Sequence, residues 1–223
     1  MPGTDNADLT SFGVTKKIYC IDKRPPPRTL HTAFFFRERM YIYGGYDSLV
    51  GILTDMWAVN IDYPVDPQLS WEKIDIVSDC PKTFRHSSHM VDDSLFIIGG
   101  KLSASINTSQ LWRLNLLEEI LGWEKLDFVV KDEDDEAELQ IDSATTVDYK
   151  DRIWLFGGFL GGSLACYTNN LWNFDYKTYQ LKQVDPEKMS GRLPEPRVDH
   201  AAALMGNKMF IFGGSRENVI YDD

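Results

Sequence analysis

The sequence predicts an all-β protein assembled from about four copies of one antiparallel, four-stranded unit, and three observations carry that prediction. First, Gly-Gly pairs close apolar runs at 44–45, 99–100, 157–158 and 213–214, spaced 55, 58 and 56 residues apart. Second, the stretches leading into these pairs align without a gap: RTLHTAFFFRERMYIYGG (28–45), TFRHSSHMVDDSLFIIGG (83–100), IDSATTVDYKDRIWLFGG (141–158) and RVDHAAALMGNKMFIFGG (197–214). Third, an apolar run containing Trp follows the first three pairs: DMWAVNI (55–61), QLWRLNL (110–116) and NLWNFDY (170–176). A fixed period of this length marks a repeat architecture.

Taken in order, residues 1–13 are expected to form a disordered tail; MPGTDNADLT has neither the basic nor the apolar region of a secretory signal. Residues 14–27 occupy the slot that a last strand fills elsewhere, and are expected to be strand d of a closing blade. Within each aligned stretch, two runs of β-branched, aromatic or small residues flank a polar turn (RER, VDD, YKD, MGN), which reads as a hairpin of strands a and b. The Trp run is strand c, with Asn60, Asn115 or Asp175 three residues after the Trp, a residue type suited to the turn that ends a strand. Strand d follows as WEKIDIV (71–77), WEKLDFV (123–129) and YQLKQV (179–184). The repeats therefore run roughly over 28–77, 83–129, 141–184 and 197–223. In the fourth, Asn218, Ile220 and Tyr221 are expected to begin an unfinished strand c, matching Thr54, Met56 and Trp57. This inventory predicts a partial propeller spanning 14–223.

A twisted four-stranded antiparallel sheet of this kind is one blade of a β-propeller. The in-phase glycines Gly44, Gly45, Gly99, Gly100, Gly157, Gly158, Gly213 and Gly214 are expected to be structural, turning the backbone where other residues resist and letting a blade approach closely. The pairs, the Arg-x-x-His openings Arg28–His31 and Arg197–His200, the strand-c tryptophans, and Trp71 and Trp123 in strand d together resemble kelch repeats. Repeat 3 departs from that pattern, with Ile141 and Ala144 in place of Arg and His, and repeat 2 has Thr83 in place of the Arg. The resemblance implies a protein-interaction scaffold, since kelch propellers most often act as ubiquitin-ligase substrate receptors, cytoskeletal binders or regulatory scaffolds. It also implies two alternatives: an enzyme similar to the copper-radical oxidase built on such a propeller, or a self-associating structural module.

Composition narrows the partners. A net charge of −11 argues against nucleic acid, and no apolar run approaches the ~20 residues of a membrane helix. Three dispersed cysteines, Cys20, Cys80 and Cys166, without a CxxC, fit a reducing compartment, so a cytoplasmic location is expected, with the nucleus compatible. No GxGxxG, P-loop, GxSxG or HExxH motif occurs, and neither catalysis nor a cofactor is expected. His31, His86 and His200 recur at the start of strand a, where a structural role is expected rather than a metal site, because Ala144 breaks the set. The acidic run 131–138 is expected to be a solvated loop, with its 132–138 portion offering a docking surface for a basic partner. An up-and-down blade sends its b–c and d–a loops to one face and its a–b and c–d turns to the other. The first face carries Tyr46, Asp47, Arg85, Lys101, Phe159, Ser215 and Arg216, the residues expected to bind a partner.

Overall fold

A computed structural model describes residues 19–20, 23–61, 68–129 and 140–223. Blade 1 consists of strand a (Thr32–Phe36), b (Arg39–Tyr43), c (Met56–Asn60) and d (Trp71–Ile74), hydrogen-bonded in that order and antiparallel throughout. Blade 2 repeats the pattern with Ser87–Val91, Ser94–Ile98, Leu111–Asn115 and Trp123–Leu126. Blade 3 repeats it with Thr145–Asp148, Ile153–Phe156, Leu171–Asp175 and Gln180–Gln183. Blade 4 contributes strands a (Ala201–Met205) and b (Lys208–Phe212). The chain is thus an all-β propeller of kelch-type blades. Strands a of successive blades lie side by side, 1 to 2 to 3 to 4, and form the innermost layer.

The a–b hairpins follow from their turn residues. Arg37 and Glu38 stand at φ +45° and +63°, and Lys150 and Asp151 at +52° and +57°. Two consecutive left-handed residues are what a two-residue turn needs to match the twist of its flanking strands. Along strand b, alternate side chains then point to opposite faces of the sheet, and both faces are covered by neighbouring blades. Tyr41, Tyr43, Met56 and Ala58 of blade 1 share one core with Leu95, Ile97, Trp112 and Leu114 of blade 2. Val91, Phe96, Ile98 and Leu111 of blade 2 share the next with Ile153, Leu155, Trp172 and Phe174 of blade 3. Covering both faces explains why strands b read as continuous apolar runs rather than as an alternation.

One expectation is corrected. The stretch after the fourth Gly-Gly does not begin a strand c: Val219–Ile220 turns back to pair with Ser215–Arg216 as a small hairpin. The backbone register makes the assignment. The amide of Gly213 donates to the carbonyl of Asp223 (3.0 Å), as Gly44 does to Asp55 (3.2 Å), Gly99 to Gln110 (2.9 Å) and Gly157 to Asn170 (3.1 Å). Asp223 therefore corresponds to the residue two positions before each strand-c Trp, and Val219–Ile220 to the hairpin residues Gly51–Ile52 of the first b–c loop. Of the segment 14–27 assigned to a closing blade, Tyr19–Cys20 pairs in parallel with Gln68–Leu69, between strands c and d of blade 1. Residues 1–18, 21–22 and the acidic run 131–138 lie outside the described residues.

Candidate interaction face

The loops joining strands b to c and strands d to a emerge on one face, and a second tier of short pairings orders them. The residue after each Gly-Gly pairs with the connection entering its own blade: Tyr46 with Thr29, Lys101 with Phe84, Phe159 with Asp142, and Ser215 with Val198. The next residue along each entering connection is Leu30, Arg85, Ser143 or Asp199, with φ of +57°, +56°, +56° and +54°. Non-glycine residues seldom adopt this conformation, and here it recurs four times at one position. The first three are joined from blade to blade: the Arg85 amide donates to the Leu30 carbonyl (3.3 Å) and the Ser143 amide to the Arg85 carbonyl (2.8 Å).

A charged network builds on this tier. The guanidinium of Arg85 donates through Nε to Ser143 Oγ (2.7 Å) and through Nη2 to Asp199 Oδ2 (2.7 Å), and its Nε lies 3.3 Å from Asp142 Oδ1. The side chain of Asp142 is 2% exposed and accepts from Ser143 Oγ (2.8 Å) and Asn107 Nδ2 (2.9 Å), with Lys101 Nζ at 3.7 Å. Asn107 also donates to the carbonyl of Phe159 (3.2 Å). Lys101 Nζ stands 6.0 Å from the centre of the Phe159 ring, which meets Tyr167 edge-on at 5.2 Å. Blades 2, 3 and 4 are therefore stitched together by one set of paired charges, which removes the cost of burying the Asp142 carboxylate alone.

Arg85, Lys101 and Phe159, taken from the sequence as binding residues, meet in this network. Tyr46 stands apart on Phe84, ring centres 5.1 Å apart, and keeps 37% of its surface exposed. Asp47 caps its own loop, its carboxylate accepting from the amides of Leu49 (2.7 Å) and Val50 (3.0 Å). Ser215 is held by its backbone pairing with Val198, Arg216 is exposed, and neither side chain touches the network among the described residues. Sequence reasoning missed Asp142, Ser143, Asn107 and Asp199. The signal was present in the alignment, where columns otherwise rich in repetition read Thr29, Phe84, Asp142, Val198 and Leu30, Arg85, Ser143, Asp199.

The recurring histidines serve the joints between blades. Nε2 of His86 lies 2.7 Å from Oγ1 of Thr32 in blade 1, and Nε2 of His200 lies 2.7 Å from Oγ1 of Thr145 in blade 3. Burial depresses both imidazoles to about 4, with the Arg197 charge adding to the effect at His200. Gly157 shows why the position before such a ring is glycine: at φ +66°, a Cβ on it would lie 2.8 Å from His200 Cε1 and 2.9 Å from the Arg197 carbonyl oxygen.

No family model matches the chain. It is 27% identical over 201 residues to the Leucine-zipper-like transcriptional regulator 1 homolog of Drosophila melanogaster, covering 89% of this chain and 19% of that protein. Human Kelch domain-containing protein 2 is 25% identical over 232 residues, covering 89% of this chain and 53% of the relative. Human Kelch domain-containing protein 1 is 26% identical over 225 residues, with 89% and 52% covered. The chain thus spans about half the length of these two kelch relatives and a fifth of the first. The four in-phase repeats, the antiparallel blades and these relatives together support a kelch-repeat protein.

Proposed function

We propose that this chain is a non-enzymatic interaction module, holding a partner protein or peptide across the face of its b–c and d–a loops as a substrate receptor or adaptor. One observation carries the reading. Four equivalent positions share one left-handed backbone conformation yet bear Leu30, Arg85, Ser143 and Asp199. A scaffold that repeats its backbone while varying its side chains at one face is arranged for recognition, because binding groups concentrate on loops held by rigid elements. Names such as Kelch domain-containing protein 2 among the relatives agree with an interaction domain. The net charge of −11 and the acidic 132–138 run favour a partner with a basic segment, encountered in the cytoplasm.

The test is to cross-link the protein to its partners in native cells, identify them, and measure binding of the purified pair. Tyr46→Ala and Phe159→Ala should each weaken binding about tenfold, corresponding to ~1.4 kcal/mol, with the melting temperature little changed. Arg37→Glu and Asp93→Lys, in a–b turns on the far face, should leave affinity as it was. A partner footprint on those turns, or between strands c and d of blade 1, would refute the chosen face.

A further inference from the structure

We propose that the blade junctions sense acid: protonation of His86, His89 and His200 loosens each blade from its neighbour and disturbs the loop face above them. A histidine–threonine contact recurs at every described junction. Between blades 1 and 2, His86 Nε2 meets Thr32 Oγ1 at 2.7 Å; between blades 3 and 4, His200 Nε2 meets Thr145 Oγ1 at 2.7 Å. Thr32 and Thr145 each open strand a of the preceding blade. Between blades 2 and 3 the equivalent histidine is replaced by Ala144, whose carbonyl instead accepts from Ser87 Oγ (2.9 Å). There a histidine of the preceding blade, His89, donates from Nδ1 to Thr146 Oγ1 of the following blade at 3.1 Å, and the Thr146 hydroxyl donates in turn to the Ser88 carbonyl (2.7 Å). The junction lacking one histidine has gained another.

The surroundings disfavour a charge on these rings. His86 is faced by Thr83 on its own connection, with Nδ1 3.2 Å from the Thr83 carbonyl and 3.3 Å from its hydroxyl. From blade 1 it is faced by Thr32, by the Tyr43 ring at 6.2 Å, and by His31, a second base. His200 feels Arg197 and Asp199 from its own connection, and packs against the edge of Phe156 from blade 3 at 5.5 Å. Only His89 feels a carboxylate across its junction, that of Asp148 in blade 3. With Nδ1 facing the Thr83 carbonyl, a neutral His86 can accept from the Thr32 hydroxyl through a bare Nε2 and a protonated one cannot, and at all three rings a charge would be carried with reduced access to water.

The direction of the effect follows. Burial lowers all three imidazoles, His86 and His200 to about 4, against the ordinary value near 6.5. The closed junction therefore refuses protons that an opened junction accepts, and its stability is complete above about pH 6.5 and declines as pH falls towards 4. The loop face is coupled directly, since His86 follows Arg85 and His200 follows Asp199 in the chain.

The experiment needs no partner, so it is decided independently of the interaction reading. Thermal unfolding of the full chain would be followed from pH 8 to pH 5, above the range in which ordinary carboxylates titrate, alongside NMR titration of its four histidine rings. The protein should lose thermal stability steeply below pH 6.5, and the triple variant His86→Gln, His89→Gln, His200→Gln should lose at most half as much. The His86 and His200 rings should titrate at least one unit below 6.5, and the protection factor of the Ser143 amide should fall as pH drops. An unchanged pH slope in the triple variant, or His86 and His200 titrating at about 6.5, overturns the proposal. If the triple variant does not fold at pH 8, the ring titration of the unaltered protein decides alone.

Discussion

Gly157 and Gly206 share a left-handed backbone, φ +66° and +62°, but only Gly157 is hemmed in; a Cβ on Gly206 would meet nothing within 4 Å. The pair therefore separates backbone strain from steric exclusion. Gly206→Ala should cost about 1 kcal/mol, the ordinary penalty of placing a side chain at positive φ. Gly157→Val should cost roughly 1–3 kcal/mol more, because the His200 ring and the Arg197 carbonyl must both move. Chemical denaturation at neutral pH measures both; equal costs would mean that the joint between blades 3 and 4 yields freely. Arg85 poses a different residue-scale question, since its guanidinium is what makes the buried Asp142 carboxylate tolerable. Arg85→Ala leaves that carboxylate with Lys101 at 3.7 Å as its nearest cation, and should cost on the order of 3 kcal/mol. Adding Asp142→Asn should recover much of the loss, and a double variant no more stable than Arg85→Ala would show that the two side chains act separately.

The same pairing logic works at the scale of the blade. Arg28 donates to the Gly44 carbonyl (2.9 Å) and grips Asp55 with two bonds of 2.8 and 3.0 Å; Arg197 repeats this with the Gly213 carbonyl (3.0 Å) and Asp223 (2.6 and 3.1 Å). Each clamp ties the entry of a blade to the end of its b–c loop. Where the opening residue is Thr83 or Ile141, the partner position holds Gln110 or Asn170, so the charges enter and leave together. Asp55 also accepts from Trp57 Nε1 (2.6 Å), and its side chain is far less exposed than that of Asp223. Asp55→Ala should therefore destabilise by about 1–3 kcal/mol and Asp223→Ala by clearly less, read from denaturation midpoints. The strands of three blades were legible because periodic apolar runs and turn residues are local signals. The hairpin Val219–Ile220 was not, since two apolar residues after a Gly-Gly look alike whether they open strand c or fold back within a loop. The Arg85–Asp142–Asp199 network escaped for another reason: its members lie in three repeats, and only the curvature of the propeller brings them together.

Across the whole molecule, each blade presents one face to the blade before it and the other to the blade after it. The last residue before each Gly-Gly reports on the second of these faces. Tyr43 and Ile98 are 0% exposed and Phe156 is 4% exposed, each covered by the following blade, whereas Phe212 is 66% exposed. Phe210, one step along the same face, is also exposed, and so are Ala201 and Ala203, the residues paired opposite these two phenylalanines. Among the described residues the free edge of Lys208–Phe212 pairs with nothing, whereas in the other blades strand b holds strand c there. An apolar face beside an open strand edge favours association. The 223-residue chain should accordingly show concentration-dependent sedimentation, shifting to larger species over about a hundredfold rise in concentration, as expected for a weak contact. Charges placed on that face, Phe210→Lys with Phe212→Lys, should hold it monomeric while leaving the melting temperature nearly unaltered, because neither ring is buried in the single chain. Charges on the b–c loop of blade 1, Leu49→Lys with Val50→Lys, should leave association unchanged even though both residues are highly exposed, since they stand at the tip of a short hairpin away from the apolar face of Phe210 and Phe212. If the loop variant abolishes association and the blade variant does not, the contact runs through the interaction face instead.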